Sequence, residues 1–338
     1  MKRLISVAAV FAVAALALAA QNQPPLKLAR TIELPADVKG HFDHFGVDLR
    51  GHRLFSAAED SKSVLVLDLQ TGKLIHTIGG ISRPHAILYR QDVNRIYVTD
   101  GGDGDLKIFD GTSYQLLKSV KLLPDADSIG YDASTNYLYI DNGGGDAHQT
   151  YSTLSVVDTT AETKLADIKV DGDTLEAMAL ESSSPRMYVN NRAKNQVEVI
   201  DRATRTIVAS WPITLGKINV AMALDEATHR LFVGCRSGNI VVFDTQTGKE
   251  LQALPIAKGV DDVAFDPSSK QVYASCGDGA GSVDVFREAS ADRFEPLGQI
   301  ASGPLGRTSR LVRELHEYFV AVPAHDAAPA EILVYRTQ

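Results

Sequence analysis

A single unit recurs seven times along this chain, and that repetition limits its folding options more than any other feature. Short β-branched runs end in an acidic residue and a turn: Val64-Leu65-Val66-Leu67-Asp68, Leu106-Lys107-Ile108-Phe109-Asp110, Leu154-Ser155-Val156-Val157-Asp158, Val197-Glu198-Val199-Ile200-Asp201 and Ile240-Val241-Val242-Phe243-Asp244. Two weaker copies follow, Val283-Asp284-Val285-Phe286-Arg287 and Ile332-Leu333-Val334-Tyr335-Arg336. Their terminal residues lie 42, 48, 43, 43, 43 and 49 positions apart. A period in the low forties, built from strand-length pieces, is that of a β-propeller blade.

A second series lies roughly ten residues before most of these runs. It reads Ile96-Tyr97-Val98-Thr99-Asp100, Leu138-Tyr139-Ile140-Asp141-Asn142, Met187-Tyr188-Val189-Asn190-Asn191, Leu231-Phe232-Val233-Gly234-Cys235 and Val272-Tyr273-Ala274-Ser275-Cys276. Leu54-Phe55-Ser56-Ala57 and Tyr318-Phe319-Val320-Ala321 bring it to seven. In these copies the chain resembles the YVTN-repeat (YncE-like) β-propeller family, over essentially everything after residue 20. The resemblance implies the fold, an all-β seven-bladed propeller of four-stranded antiparallel blades. It implies no single activity, because that family is functionally mixed.

Each unit reads as a meander of strands A to D. A is of the type Val263-Ala264-Phe265-Asp266, B is the tyrosine series and C the series ending in Asp. D is of the type Leu116-Leu117-Lys118-Ser119-Val120, after turns such as Asp68-Leu69-Gln70-Thr71-Gly72-Lys73. No segment holds a 3.6-residue period, so almost no helix is expected. The last unit stops after strand C, while Leu28-Ala29-Arg30-Thr31-Ile32-Glu33-Leu34 reads like a D strand standing before the first A. An open ring would leave bare sheet edges. The N-terminal strand is therefore expected to fill the outer place in the last blade.

Residues 1–20 read as an export signal: Lys2-Arg3, an apolar stretch from Leu4 to Ala20, and small residues at Ala17 and Ala19 ahead of a polar segment. The expected mature chain is one propeller over residues 21–338, a periplasmic or secreted monomer with no other segment apolar enough to span a bilayer. The full chain's 42 acidic residues against 34 basic ones, with no basic run beyond Lys2-Arg3, argue against a nucleic-acid partner. The two cysteines, Cys235 and Cys276, share a position in successive B strands. Equivalent points on packed sheets lie ~10 Å apart, beyond disulfide reach, so two free buried thiols are expected.

Meander geometry puts the D–A and B–C connections on one face of the disc. The B–C loops are long and glycine-rich there, as in Asn142-Gly143-Gly144-Gly145-Asp146-Ala147-His148. The starts of the A strands are more informative: Asp43, His85, Asp127, Glu176, Val220, Asp261 and Thr308. Five of these seven are Asp, Glu or His, residue types that make up 51 of the 338 residues, so the enrichment is not chance. Along strand A, small residues (Gly46, Gly130, Ala179, Ala264) alternate with large ones (Phe45, Ile129, Met178, Met222), the pattern of blades tapering toward an axis. The ionisable starts would then crowd a channel mouth, joined by His41, His44, Asp125, Asn219, Asp262, Arg236 and Arg307. Whether Arg307 or Thr308 takes the ring place in the last blade is open.

Three readings of the mouth compete. It is a wet polar ring balanced by Arg83, Arg236 and Arg307; a seat for a small polar ligand, peptide or partner protein; or a divalent metal site drawn from Asp43, His44, His85, Asp127, Glu176 and Asp261. Within the last, Asp43, His44, His85 and Glu176 are the first candidate ligands. A mixed carboxylate–imidazole set suits zinc, manganese or iron better than calcium. No nucleophile triad, phosphate loop or nicotinamide fingerprint appears, and no catalytic residue is assigned. The leading expectation is a binding scaffold. The alternative, by analogy with related seven-bladed families, is a metal-dependent lactonase or lyase with its metal at the mouth.

Overall fold

The computed structural model describes residues 24–338, so the expected export signal over residues 1–20 lies outside the described residues. Seven four-stranded antiparallel sheets form a ring, and the only helical turns among the described residues are the short 3-10 segments Gly144–Ala147 and Arg313–Leu315. No helix there is long and apolar enough to cross a membrane. Blades 1 to 6 span residues 45–78, 84–121, 129–171, 175–212, 219–255 and 260–301 in chain order. Blade 7 takes residues 308–337 and adds the N-terminal strand Leu26–Glu33 outside Glu331–Thr337, pairing Leu26 with Thr337 and Glu33 with Glu331. The ring closes as its two ends require.

Position in the blade decides how each strand reads. B strands such as Arg95–Asp100 and Gln271–Cys276 are covered by neighbouring blades on both faces, so they are apolar almost throughout. Five tyrosines of that series, Tyr97, Tyr139, Tyr188, Tyr273 and Tyr318, are fully buried. D strands are half wet, and Leu116–Lys121 leaves most of its residues exposed. The acid that ends each C strand has a local reason. Asp68 Oδ1 accepts the backbone N–H groups of Gln70 and Thr71 at 3.0 and 2.7 Å, holding the C–D turn shut. Asp110, Asp158 and Asp244 do the same. Blade 6 has Arg287 there, and its hairpin runs on without that turn, from Ser282–Ser290 into Arg293–Ala301. Blade 7 has Arg336 there, and because its outer strand is the N-terminal Leu26–Glu33 no C–D turn joins the two.

The small residues of strand A let adjacent blades approach. A Cβ added to Gly46 would come within 2.7 Å of Ile87 in blade 2, and one on Gly130 within 2.7 Å of Leu180 and Met178 in blade 4. Trp211, on the D strand of blade 4, packs against Tyr188 and Phe243 with ring centroids 5.4 and 5.9 Å away. Cys235 and Cys276 are free and buried.

Candidate site at the channel mouth

Strand A begins irregularly in blades 2, 4, 5 and 6. The pairing slips between Pro84 and Ile87, Leu175 and Met178, Asn219 and Ala221, and Val260 and Asp262. Such bulges re-aim side chains, and the residues within them include His85, Glu176, Val220 and Asp261. In blade 7 Ser309 pairs with Val320, as Val263 pairs with Ala274 in blade 6. That register gives the ring place to Arg307 rather than Thr308, which is buried against Ala321. Six of the seven ring places are therefore ionisable.

The ring divides into two halves. On one side stand guanidinium–carboxylate pairs. Arg236 donates to Asp261 Oδ1, Arg307 Nε lies 3.0 Å from Asp261 Oδ2, and Arg192 donates to Glu176 at 2.8 Å. On the other side are imidazoles and acids. His85 Nδ1 is 2.5 Å from Asp43 Oδ2 and 3.9 Å from Asp127 Oδ1. His44 spans the opening, with Nε2 3.3 Å from Asp43 Oδ1 and Nδ1 3.2 Å from Asp262 Oδ1. Asp262 is itself held by the backbone N–H of Ser309 at 2.6 Å. One donor atom from each of Asp43, His44 and Asp127 lies within 4.8 Å of the others.

Charge follows from these contacts. Burial opposes ionisation of Asp43, but His44 and His85 outweigh it and hold its carboxyl well below the usual range. Burial pulls both imidazoles down, yet Asp262 and Asp43 keep His44 well above its ordinary value, and Asp127 and Asp43 hold His85 up at about 10. Asp127 is pushed up to about 6 by burial and by Asp43, against His85. Glu176 is pushed up to about 8 by burial and by Asp127, against Arg192. These two acids gather more charge than the mouth neutralises.

The remaining expected residues fall elsewhere. Asn219 is buried in a joint between blades, donating to Asn190 at 2.9 Å and to the Gln196 carbonyl at 3.1 Å. His41 sits at the rim on Asp60, 3.0 Å away. Arg83 is drawn outward to Asp125 and Asp146 at 2.6 and 2.8 Å. His85 turns its other nitrogen, Nε2, toward Gly101, where an added Cβ would approach within 2.7 Å. The donor group drawn together is thus Asp43, His44 and Asp127, with His85 behind Asp43 and with Glu176 tied to Arg192.

Asp141 is a member that sequence reasoning missed. Its B-strand position carries a donor in three other blades: Thr99 donates to the Asp127 carbonyl at 2.7 Å, Asn190 to Ala221 at 3.0 Å and Ser275 to Arg307, each stapling one blade to the next. Asp141 is 3% exposed and its Oδ1 has no partner. It can match those donors only as the neutral acid. Burial, with Asp127, Glu176 and Asp125 nearby, raises its pKa well above the ordinary value and favours that form. An acid where the other six blades have Ala57, Thr99, Asn190, Gly234, Ser275 and Ala321 was the signal available in the repeat.

The fold and its ring of ionisable groups define a seven-bladed β-propeller with a polar, partly closed channel mouth. The chain is similar to the YncE proteins of Salmonella typhi, 28% identical over 115 residues, and of Salmonella typhimurium, 28% identical over 148 residues. Those stretches cover 34% and 43% of this chain but only 32% and 40% of the relatives, so the likeness spans well under half of their length. Together with the seven blades it fits a YncE-like propeller family. No family model matches the chain. Among solved structures, a chain of a mitotic checkpoint complex superposes with a TM-score of 0.77 at 13% identity, covering 94% of this chain and 93% of that one. Hydrazine synthase of Kuenenia stuttgartiensis gives 0.75 at 15% identity, covering 90% and 97%. These two share the fold alone.

Proposed function

We propose that this chain is an exported binding propeller whose ligand seat is the channel mouth, and that the seat takes a divalent transition-metal ion on Asp43, His44 and Asp127. The observation that carries the reading is the orientation of His44. Asp262 faces Nδ1 at 3.2 Å while Nε2 is turned to Asp43 Oδ1 at 3.3 Å. A carboxylate behind the non-ligating nitrogen is how metal-binding imidazoles are held in register. His85 plays the matching part for Asp43, gripping Oδ2 and leaving Oδ1 free toward His44. Without a cation, the His44 proton fills the gap between Asp43 and Asp262. A metal ion must displace it, so binding releases a proton and tightens with pH.

The test is elemental analysis of the purified mature chain, stripped with chelator, loaded with Zn²⁺ or Mn²⁺ and desalted. One ion per chain is expected, retained better at pH 8 than at pH 6. Asp127→Asn and His44→Ala should lose it, while Asp261→Asn on the guanidinium side should keep it. A wild-type chain that holds no ion at either pH, or variants that hold it equally well, would overturn the reading.

A further inference from the structure

Beneath the mouth the channel opens into a cavity of about 340 Å³ whose walls include Phe45, Ile87, Ile129, Met178, Met222 and Val263, with His44 and Asp262 at its upper end. An adjoining space of about 320 Å³ continues past Leu224, Phe265 and Leu311 to Arg313. Arg310 lines both. We propose that this inner channel binds a small organic anion with an apolar body, its carboxylate seated on Arg310.

Arg310 breaks the blade pattern. The corresponding strand-A places carry Gly46, Gly130, Ala179, Ala223 and Ala264, with Leu88 the other exception. At the Gly46 and Gly130 places any side chain would collide with the next blade. In blade 7 a guanidinium stands there instead, and it makes no hydrogen bond or ion pair among the described residues. Asp262, which lines both spaces, is the strongest charge acting on Arg310 through space, but its oxygens are taken by His44 and the Ser309 N–H rather than by the guanidinium. Glu314 and Arg313 act on Arg310 only through space and with opposite sign. Protein surrounds the guanidinium closely enough that burial weighs against its charge, although water within the channel reaches it. A charge in that setting favours an incoming counter-ion.

The walls choose among anions. Pockets for small molecules are typically ~300–1,000 Å³, and this channel sets apolar side chains beside a polar side made by Ser128, Ser309, Asp262 and Arg310. Inorganic phosphate would leave the methionine, isoleucine and phenylalanine walls wet. A planar carboxylate matches the guanidinium fork, and an aliphatic or aryl body fills the remainder. The acidic mouth repels an anion, whereas the opposite face presents Arg313 on the turn after strand A of blade 7, so the ligand enters from there. This site meets the proposed metal seat only at the His44–Asp262 pair, and Arg310, which would hold the anion, takes no part in that seat.

Calorimetric titration with octanoate, and with octan-1-ol as its neutral counterpart, tests the proposal. Octanoate should bind once per chain and octan-1-ol at least about tenfold more weakly. Arg310→Met should weaken octanoate by about tenfold or more while sparing octan-1-ol, and Arg310→Lys should recover part of the loss. Lys249→Met, which removes an exposed cation on the outer strand of blade 5, should leave octanoate binding unchanged. Far-ultraviolet circular dichroism establishes that each variant is folded. No saturable octanoate binding by the folded wild type at millimolar concentration, equal affinity for the two probes, or an Arg310→Met variant that binds octanoate as tightly as wild type would each overturn the assignment.

Discussion

Replacing Glu176 by Gln should stabilise the protein, and only at neutral and alkaline pH. The carboxyl is buried beside Asp127 and titrates at about 8 in the fold, against an ordinary 4.5. Between those limits the folded chain holds a proton that the unfolded chain has released, so stability drains as pH rises through the window and stops draining above pH 8. Each pH step is worth ~1.4 kcal/mol, and 4.5 to 7 spans two and a half of them, so the wild type gives up about 3 kcal/mol at pH 7. Gln keeps the shape and still accepts from Arg192 in place of Glu176 Oε1. Urea unfolding at pH 4.5, 7 and 8.5 measures the difference. The variant should match wild type at pH 4.5 and exceed it by about 2–3 kcal/mol at pH 7. A variant less stable than wild type at pH 7, by the same margin as at pH 4.5, would mean that the Arg192 pair sustains an ordinary carboxylate. The account of the mouth as proton-loaded would then be wrong.

Three other outcomes are expected. Arg30→Met should cost about 3 kcal/mol in urea unfolding, because Arg30 grips the buried Glu317 at 2.8 and 3.1 Å and the Leu69 carbonyl at 2.7 Å, tying the closing strand to blades 7 and 1. No loss of stability there would argue that ring closure does not depend on this clamp. Gly281→Ala should lower stability by about 2 kcal/mol, since φ is +71° and an added Cβ would stand 1.7 Å from the Gly303 carbonyl oxygen; an unchanged melting temperature would contradict that geometry. Neither thiol should react with a disulfide reagent in the native protein at pH 8, and both should react in guanidinium, because both are buried and burial pushes Cys235 up to about 12 and Cys276 higher still. Native labelling of either one would break that expectation.

The architecture was legible because its causes are local and repeated. The acid that closes the C–D turn in blades 1 to 5, the aromatic ring buried in every B strand and the displaced D strand at the N-terminus each follow from contacts within one blade or across one seam. Register at the mouth was harder to read. Arg307 and Thr308 are adjacent in sequence, and only the pairing of Ser309 with Val320 separates them. The bulges that turn His85 and Asp261 have no signature in residue type. Partner choice was beyond reach for the same reason. That His44 would face Asp262, five blades later in the chain, depends on how the ring closes, and that Glu176 would be taken up by Arg192 of its own blade depends on the bulge that opens its strand.

Departures from the repeat mark the chemistry more sharply than the conspicuous acids do. Asp141 stands where other blades staple through a hydroxyl or an amide, and Arg310 where most blades have a glycine or an alanine. Each puts an ionisable group at a place the fold does not need to charge, and neither Asp141 Oδ1 nor the Arg310 guanidinium has a hydrogen-bond partner among the described residues. Local consistency is what makes a repeat fold, so a costly exception within it points toward function. The two exceptions also have opposite character. Asp141 backs the acidic mouth and Arg310 opens the channel below it, with the His44–Asp262 pair between them. On these two proposals the channel is polarised along its axis, with the cation seat at the end that Asp141 backs and the anion seat at the Arg310 end.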